Sequence, residues 1–294
     1  MRRVVILLTG AVLLLQSISA SAQDQKKESL VNDGLYVRET TPQRVPIPYP
    51  HLRESDMLWT KRVWRIIDLR EKINHPLYYP TSRMQDRVSL VQRLVDAIKY
   101  NEITAYDVND DEFTTLLSYD QIIKNFGAED ETKTQTNPIT GRDTTFTVKG
   151  EIRWSEVKEL MIKEEWFFDK QHSTMQVRII GICPIRQYSQ ILQTGSEEEV
   201  AGELKRVQLF WVYFPEARKV LANTACFNEF NDAQRITFDD LFFKRRFSSY
   251  ITQETNVYNN RPINEYTFGG IPNMQESDRI KTDLFTFEHD LWEY

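Results

Sequence analysis

Three carboxylates lie close together in the stretch KEEWFFD, at Glu164, Glu165 and Asp169. A glycosidase needs only two carboxylates at a suitable separation, one as acid and one as base or nucleophile. A cluster of this kind is also the ordinary composition of a solvated helix end, and no partner group for catalysis is identifiable elsewhere in the sequence. A hydrolase acting on glycan or peptidoglycan is therefore an alternative hypothesis and not the leading one.

Other patterns that could support chemistry are weaker. The histidines at positions 51, 75, 172 and 289 are scattered, and the sequence has no nucleophile elbow, phosphate-binding loop, dinucleotide fingerprint or zinc motif. The run Asn-Asp-Asp-Glu at 109–112 lacks the glycine and the ligand spacing of an EF-hand loop, so we interpret it as a charged turn. The sequence thus predicts no catalytic site, no metal site and no cofactor, and we predict that the protein is not an enzyme.

Aromatic residues are the remaining signal, most clearly in FDDLFFKRRF, residues 238–247. Thr237 and the acid three residues later have the spacing of a capping box, which predicts a helix that begins here. Phe243 and Phe247 are four residues apart and are predicted to face the core. If the aromatic residues were exposed instead, they could serve as stacking platforms, and a module that binds polysaccharide or cargo protein is a further alternative.

The first 22 residues have the features of a signal peptide. Two arginines precede an apolar run at 4–15, and Ala-Ser-Ala at 20–22 is a small-residue cleavage site. Removal of residues 1–22 takes away two arginines and no acid, so the formal net charge moves from −6 to −8. This acidic balance argues against nucleic-acid binding. No later apolar run approaches the length of a membrane span.

The two cysteines, Cys183 and Cys226, do not form a disulfide framework. Export would permit a disulfide between them. Both lie in apolar surroundings, where a free buried cysteine behaves as a small hydrophobic residue. The sequence leaves both possibilities open.

Composition divides the chain into six segments. They are a signal peptide (1–22), an extended proline-rich arm (23–54), a helical region (55–127), a polar loop or hairpin (128–150), an α+β core domain (151–253) and an irregular, aromatic-rich C-terminal arm (254–294). The proline spacing in the first arm forbids helix and favours an extended path. The aromatics retained in the last segment indicate that it packs on its own body or on a neighbour.

Within these segments, apolar spacing predicts helices at 55–71, 87–100, 110–127 and 154–166. Alternation predicts strands at 175–183, 207–215 and 217–227. The predicted fold class is α+β, an antiparallel sheet with helices packed on it, flanked by extended N- and C-terminal arms. Residues 56–64 also align without a gap to residues 239–247, although nine positions are too few to establish a repeat.

Candidate contacts with partner proteins come from side-chain types that are enriched at interfaces. In the helix of residues 238–247, an outward arginine is expected to pair with acids of this body or of a neighbour. The candidates are Val45, Ile47, Tyr49, Arg245, Arg246, Tyr266, Phe268 and Trp292.

Two strings in the second half of the chain carry a family resemblance. KEEWFFDKQHSTMQVRIIGICPI is followed, after a spacer, by FNEFNDAQRITFDDLFFKRRFSSYI. In this order they resemble the GldN/PorN family of gliding-motility and type IX secretion proteins, closest to the PorN branch. The strings are diagnostic of the family and carry no catalytic motif.

The resemblance implies a periplasmic structural component without enzymatic activity or cofactor. It implies association with an outer-membrane lipoprotein of the GldK/PorK type and assembly into a ring. It also implies contact with the periplasmic part of an inner-membrane energising complex of the GldM/PorM type. It supplies no binding residues, so the interface candidates above come only from the residue types.

Overall fold

A computed structural model describes residues 41–84, 87–128, 131–136, 143–148, 150–189, 204–231, 233–234 and 236–291. The predicted signal peptide, residues 23–40 of the N-terminal arm and Trp292 lie outside the described residues. So does the turn predicted between the two halves of the 128–150 segment.

A seven-stranded antiparallel sheet forms the centre of the protein. Its strands are β1 (Met57–Asp68), β2 (Ala105–Tyr106), β5 (Val157–Asp169), β6 (Thr174–Ser189), β7 (Leu204–Gln208), β8 (Trp211–Tyr213) and β11 (Tyr250–Glu254). Their order in the sheet is β11-β1-β5-β6-β8-β2, and β7 pairs with β6 beside β8. Two short antiparallel pairs lie outside this sheet, namely β3 (Glu131–Thr136) with β4 (Asp143–Val148), and β9 (Ala225–Cys226) with β10 (Ile236–Thr237).

The described ranges also contain α-helices, which are numbered here in chain order. They are α1 (His75–Tyr78), α2 (Leu90–Lys99), α3 (Tyr119–Asn125), α4 (Phe214–Ala222), α5 (Phe238–Phe243), α6 (Ile263–Tyr266) and α7 (Gly270–Asp290). Helices α2, α4 and α5 share the main hydrophobic core with one face of the sheet. Helix α7 and β11 form a separate cluster with β1, in which Val63, Ile251 and Ile280 are buried. The α+β class and the antiparallel sheet are thus confirmed.

Two predicted helices, at 55–71 and 154–166, are wrong. Both segments are long strands, β1 and β5, which pair with each other along nearly their whole length. A strand that is covered on both faces carries a continuous apolar run, which has no strand period to detect. Residues 63–67 are all buried in this way. Ser155, near the start of the predicted helix at 154–166, lies in a 3-10 turn before β5.

The predicted helix at 87–100 is confirmed as α2, with a capping box formed by Ser89 and Gln92. The helix predicted over 110–127 is shorter, because α3 begins after a second capping residue, Ser118. It is followed by Gly127, whose φ of +67° suits glycine best. In the polar segment 128–150, β3 and β4 form an antiparallel hairpin.

The strand predicted over 217–227 is wrong, because residues 214–222 form helix α4. Pro215 stands in the first turn, where its fixed φ and missing N–H are tolerated. The buried face of α4 includes Ala217, Val220 and Leu221. Their spacing fits a helix, and the sequence prediction followed the short apolar runs on either side instead.

The C-terminal arm is not irregular, which corrects the prediction for 254–294. Helix α7 spans 21 residues of this segment. It covers the free edge of β11, where the Ser277 hydroxyl accepts a hydrogen bond from the Ile251 amide at 2.9 Å. The ring of Phe287 stacks on Trp59 of β1 at 4.5 Å. Interleaved polar residues hide the helical period of this segment in the sequence.

The disulfide considered for Cys183 and Cys226 is not formed, and both thiols are free and buried. Cys183 belongs to a cluster with Trp64 and Trp211, whereas Cys226 belongs to the main core. Burial raises the pKa of both thiols to about 12. Both are therefore packed as small hydrophobic residues.

Candidate interaction surface

The carboxylate of Glu164 is fully buried on β5 and enclosed by two guanidinium groups. Arg65 of β1 places Nε 3.1 Å from its Oε2, and Arg245 places Nη1 2.9 Å from its Oε1. The indole of Trp166 donates a further hydrogen bond to Oε2 at 3.1 Å. Glu164 therefore serves as the counter-ion of a buried cluster and is not open to a substrate.

The other two carboxylates of KEEWFFD do not complete a hydrolase site. Glu165 follows Glu164 on the strand, so the two side chains point to opposite faces. Glu165 and Asp169 share a face but are separated by about 13 Å along an extended strand, which exceeds the spacing of a glycosidase pair. Asp169 shares a hydrogen bond of 2.6 Å with His172 Nδ1, and this bond holds the pKa of Asp169 below its ordinary value. The geometry of these residues therefore gives no support to the hydrolase hypothesis.

The acidic run at 109–112 is a structural turn, as its sequence predicts. The Asp110 carboxylate accepts hydrogen bonds from the amides of Thr114 and Thr115 at 2.7 and 2.6 Å. A hydrogen bond from the Thr114 hydroxyl, together with these two amide bonds, holds the pKa of Asp110 well below its ordinary value. Asp111 pairs with the buried Lys163, at 3.2 Å from Nζ to Oδ2. Across the described ranges, no group of three or more metal-binding side chains is assembled.

The described part of the proline-rich arm packs on the protein's own body. The ring of Tyr49 lies 4.2 Å from the guanidinium carbon of Arg218 and 5.1 Å from that of Arg178. Arg178 also donates a hydrogen bond of 2.7 Å to the carbonyl of Pro50. Arg218 is fixed from behind by Asp239 at 2.9 Å. Burial between these groups raises the pKa of Tyr49.

The arm leaves two apolar side chains in solvent beside this anchor. Val45 is 80% exposed and Ile47 is 60% exposed. Arg44 fixes the beginning of this stretch through an ion pair of 2.8 Å with Asp240 of α5. Val45 and Ile47 are therefore presented by a segment that is held at both ends.

The other interface candidates have different environments. Arg246 is exposed, whereas Arg245 is partly covered and pairs with Glu164, as one of these two arginines was expected to pair with an acid. Tyr266 packs against the cluster around α7 and donates a hydrogen bond to Glu276 at 3.1 Å. Phe268 is 86% exposed. The role of each candidate in binding a partner stays a prediction.

The prediction for the aromatic helix is wrong in part. Phe243 is 49% exposed, and the core positions of α5 are Phe238, Leu241 and Phe242. Phe247 lies after the helix and packs half-buried against Phe242 at 5.9 Å. The helix ends at Phe243, so the spacing of four residues does not place Phe243 and Phe247 on a common helical face.

The rings of β8, α4 and α5 give little support to an aromatic binding platform. Trp211, Phe214, Phe238 and Phe242 are buried. Tyr213 and Phe243 are the members of this group that keep substantial exposure. The hypothesis of a polysaccharide-binding module thus loses the four buried rings of this group and retains Tyr213 and Phe243 as exposed rings.

No role was predicted from the sequence for three arginines that hold these contacts in place, namely Arg65, Arg178 and Arg218. Arg65 lies inside the segment 55–71, which was predicted as a helix. Arg178 and Arg218 lie in segments without any motif. The one available signal was the position of Arg65 between Trp64 and Ile66, which would indicate a buried cation once the segment is recognised as a central strand.

No helix within the described ranges combines the length and the apolar character needed to cross a membrane. The family model for gliding motility associated protein GldN matches residues 52–293, which is most of the chain. A search of curated proteins gives no significant match.

Proposed function

Because this chain belongs to the gliding motility associated GldN family, whose members are structural components of the type IX secretion and gliding machinery, we propose a specific place for it in that machinery. It is a non-enzymatic periplasmic subunit that forms a ring with an outer-membrane lipoprotein of the GldK/PorK type and supports secretion of cargo across the outer membrane. The family match over residues 52–293 is the observation that carries this proposal.

The surface supports a role in assembly. Monomeric soluble proteins rarely expose large contiguous apolar patches, and such patches mark interaction sites. Phe268, Ile271 and Met274 follow one another around the start of α7 and are each more than two-thirds exposed. The N-terminal arm offers Val45 and Ile47 in the same way.

Self-association and a second partner complete the proposal. A contact between two different patches of identical subunits generates a ring when the rotation closes. The arm and the start of α7 supply two such different patches. We assign the remaining contact to the periplasmic part of an inner-membrane energising complex of the GldM/PorM type.

The test is affinity purification of the tagged full chain from cell envelopes after mild cross-linking. The expected result is co-purification with a lipoprotein in a particle far larger than a monomer. A chain that is recovered as a monomer, without any envelope lipoprotein, in cells that still secrete would contradict the proposal. A tagged periplasmic protein of similar size and charge is the control for non-specific capture.

A further inference from the structure

A cavity of about 350 Å³ opens between the second half of α7 and the segment that follows α5. Its walls combine cations with aromatic rings. The cations are Arg65, Arg245 and Lys281, and the rings are those of Trp166, Phe247 and Phe285. Such a lining suits a ligand that has a negative charge beside an apolar surface.

Positive charge is in excess at this cavity. Glu164 neutralises one charge of the two guanidiniums that enclose it. Lys281 has no ion pair within the described part of the chain, and Glu288 is the one acidic residue among the described lining residues. Arg65 is only 7% exposed, and burial lowers its pKa because the charged form is desolvated. The three cations exceed the two carboxylates, Glu164 and Glu288, by one charge, so an added carboxylate would be attracted to the site.

The guanidinium of Arg245 is held in place before any ligand arrives. Arg245 has φ of +51°, in the left-handed region that non-glycine residues rarely occupy. Its guanidinium carbon lies 5.5 Å from the Trp166 ring and 5.3 Å from the Phe247 ring. Backbone strain of this kind persists where the surroundings determine the conformation, and it is concentrated at binding sites.

A second cavity, of about 740 Å³, shares Ser248 and Ser249 with the first. Its lining includes Ile66, which directly follows Arg65 on β1. Consecutive residues of a strand point to opposite faces of the sheet, so the two cavities are separate sites. The groove beside α7 is therefore the first cavity alone, with its cations and its aromatic rings.

We propose that this groove binds a segment of a partner protein in which an acidic side chain lies next to apolar residues. The carboxylate lies between Arg65, Arg245 and Lys281, and the apolar residues lie over Phe247 and Phe285. Charge complementarity selects the acidic residue, and the aromatic rings beside the cations distinguish a protein segment from a simple anion. The inference rests on the proposed role as an assembly subunit, and it adds the chemistry of one contact.

Titration of the purified full chain with a peptide pair tests the charge requirement. The probes are the acetylated, amidated tetrapeptide glutamate–leucine–leucine–phenylalanine and its glutamine counterpart, measured by calorimetry or by ligand-observed NMR. A hydrogen bond to a charged group contributes about 1.5–3 kcal/mol, so we expect the glutamate peptide to bind at least about tenfold more tightly. Inorganic phosphate is the third probe and is expected to compete poorly.

Variants locate the site. Arg245→Gly removes the guanidinium and suits the left-handed backbone, so it is expected to fold and to lose at least about tenfold in affinity for the glutamate peptide. Lys281→Met, at an exposed position, is a second variant and is expected to weaken the same peptide severalfold. Phe285→Ser, at an exposed position of the groove, is expected to weaken both peptides equally. Arg246→Ala is the matched control, because this exposed neighbour does not line the groove.

Several results would overturn the inference. They are equal binding of the two peptides, full competition by phosphate, or unchanged binding by both Arg245→Gly and Lys281→Met. Binding that appears only after residues 292–294 or 23–40 are deleted would assign the groove to this chain itself.

If Arg245→Gly loses the peptide yet still co-purifies with the lipoprotein, the proposed function stands and this groove serves another contact of the assembly. If no peptide binds but the ring forms, the inference alone fails.

Discussion

Glu164 shows how a single residue can be misjudged from composition. In the sequence it belongs to an acidic cluster that suggests either catalysis or a solvated helix end. In the structure it is fully buried between Arg65 and Arg245. A buried charge of this kind is weak evidence for stability by itself, but removal of one partner leaves an uncompensated charge in the interior.

Replacement of Glu164 by glutamine should therefore destabilise the protein strongly. We expect a loss of about 3–5 kcal/mol in the free energy of unfolding, the usual result of breaking a buried ion pair. Glu165→Gln is the matched control, because Glu165 pairs at 3.7 Å with the exposed Arg62 and should cost less than about 1 kcal/mol. Urea denaturation of both variants measures the difference. Equal midpoints would contradict the assignment of Glu164 as the essential counter-ion.

Asp169 gives a prediction for acid stability. Its hydrogen bond with His172 lowers its pKa in the folded protein below the unfolded value of about 3.9. The ionised carboxylate therefore contributes stability above about pH 4, and this contribution is lost as the pH falls through the lower folded pKa. Asp169→Asn should make the melting temperature depend less on pH in the acidic range. Asp120→Asn, at an exposed position, is the matched control and should show the same pH dependence as wild type. Melting temperatures between about pH 2 and 7 test this, and parallel curves for wild type and Asp169→Asn would refute it.

At the scale of the element, helix α5 buries a different side from the one that the sequence predicts. Phe242 is buried against Phe214 at 5.5 Å, whereas Phe243 is half exposed. We expect Phe242→Ala to cost about 3–5 kcal/mol and Phe243→Ala to cost less than about 1 kcal/mol. Chemical denaturation of the pair decides between the two faces. A larger loss for Phe243→Ala would reverse the assignment.

The elements that local chemistry defines were predictable. Ser89, Ser118 and Thr237 each form a capping box in the structure, and each precedes a helix. Caps depend on a few neighbouring residues, so a single sequence contains the necessary information. The two longest segments that were predicted wrongly are strands β1 and β5, which pair with each other although they are distant in the sequence. Their apolar runs are explained by burial on both faces, which only the assembled sheet reveals.

One pair of similar sequences illustrates this limit. The stretch DMLWTKRVW at 56–64 lies mostly in strand β1, and its counterpart DDLFFKRRF at 239–247 begins in helix α5. The similarity is therefore not a structural repeat. The second stretch is preceded by a capping threonine, whereas the first pairs with β5. Tertiary context overrides the shared local preference.

The candidate surface was less predictable than the fold. The apolar arm residues Val45 and Ile47 follow from the proline pattern, and they are exposed as an interface requires. The groove beside α7 does not follow from any local pattern, because Arg65, Trp166 and Lys281 come from three elements. A site assembled by long-range pairing can be identified only after the register of the sheet is known.

At the scale of the molecule, Arg245 connects two surfaces. It lines the groove beside α7, and it also lines a cavity beside Tyr49 and Pro50 of the arm. The arm and the groove therefore share one fixed side chain.

The exposed part of the arm gives the prediction for the whole molecule. Double substitution Val45→Glu and Ile47→Glu should leave the melting temperature within about 2 °C of wild type, because neither side chain belongs to the core. The same change places two charges in a proposed apolar contact, so we expect loss of co-purification with the lipoprotein and loss of the large particle. Val257→Glu is the matched control, since Val257 is 89% exposed and lies outside the arm. Envelope pull-down, particle sizing and secretion assays compare the variants, and a double variant that assembles and secretes like wild type would remove the arm from the interface.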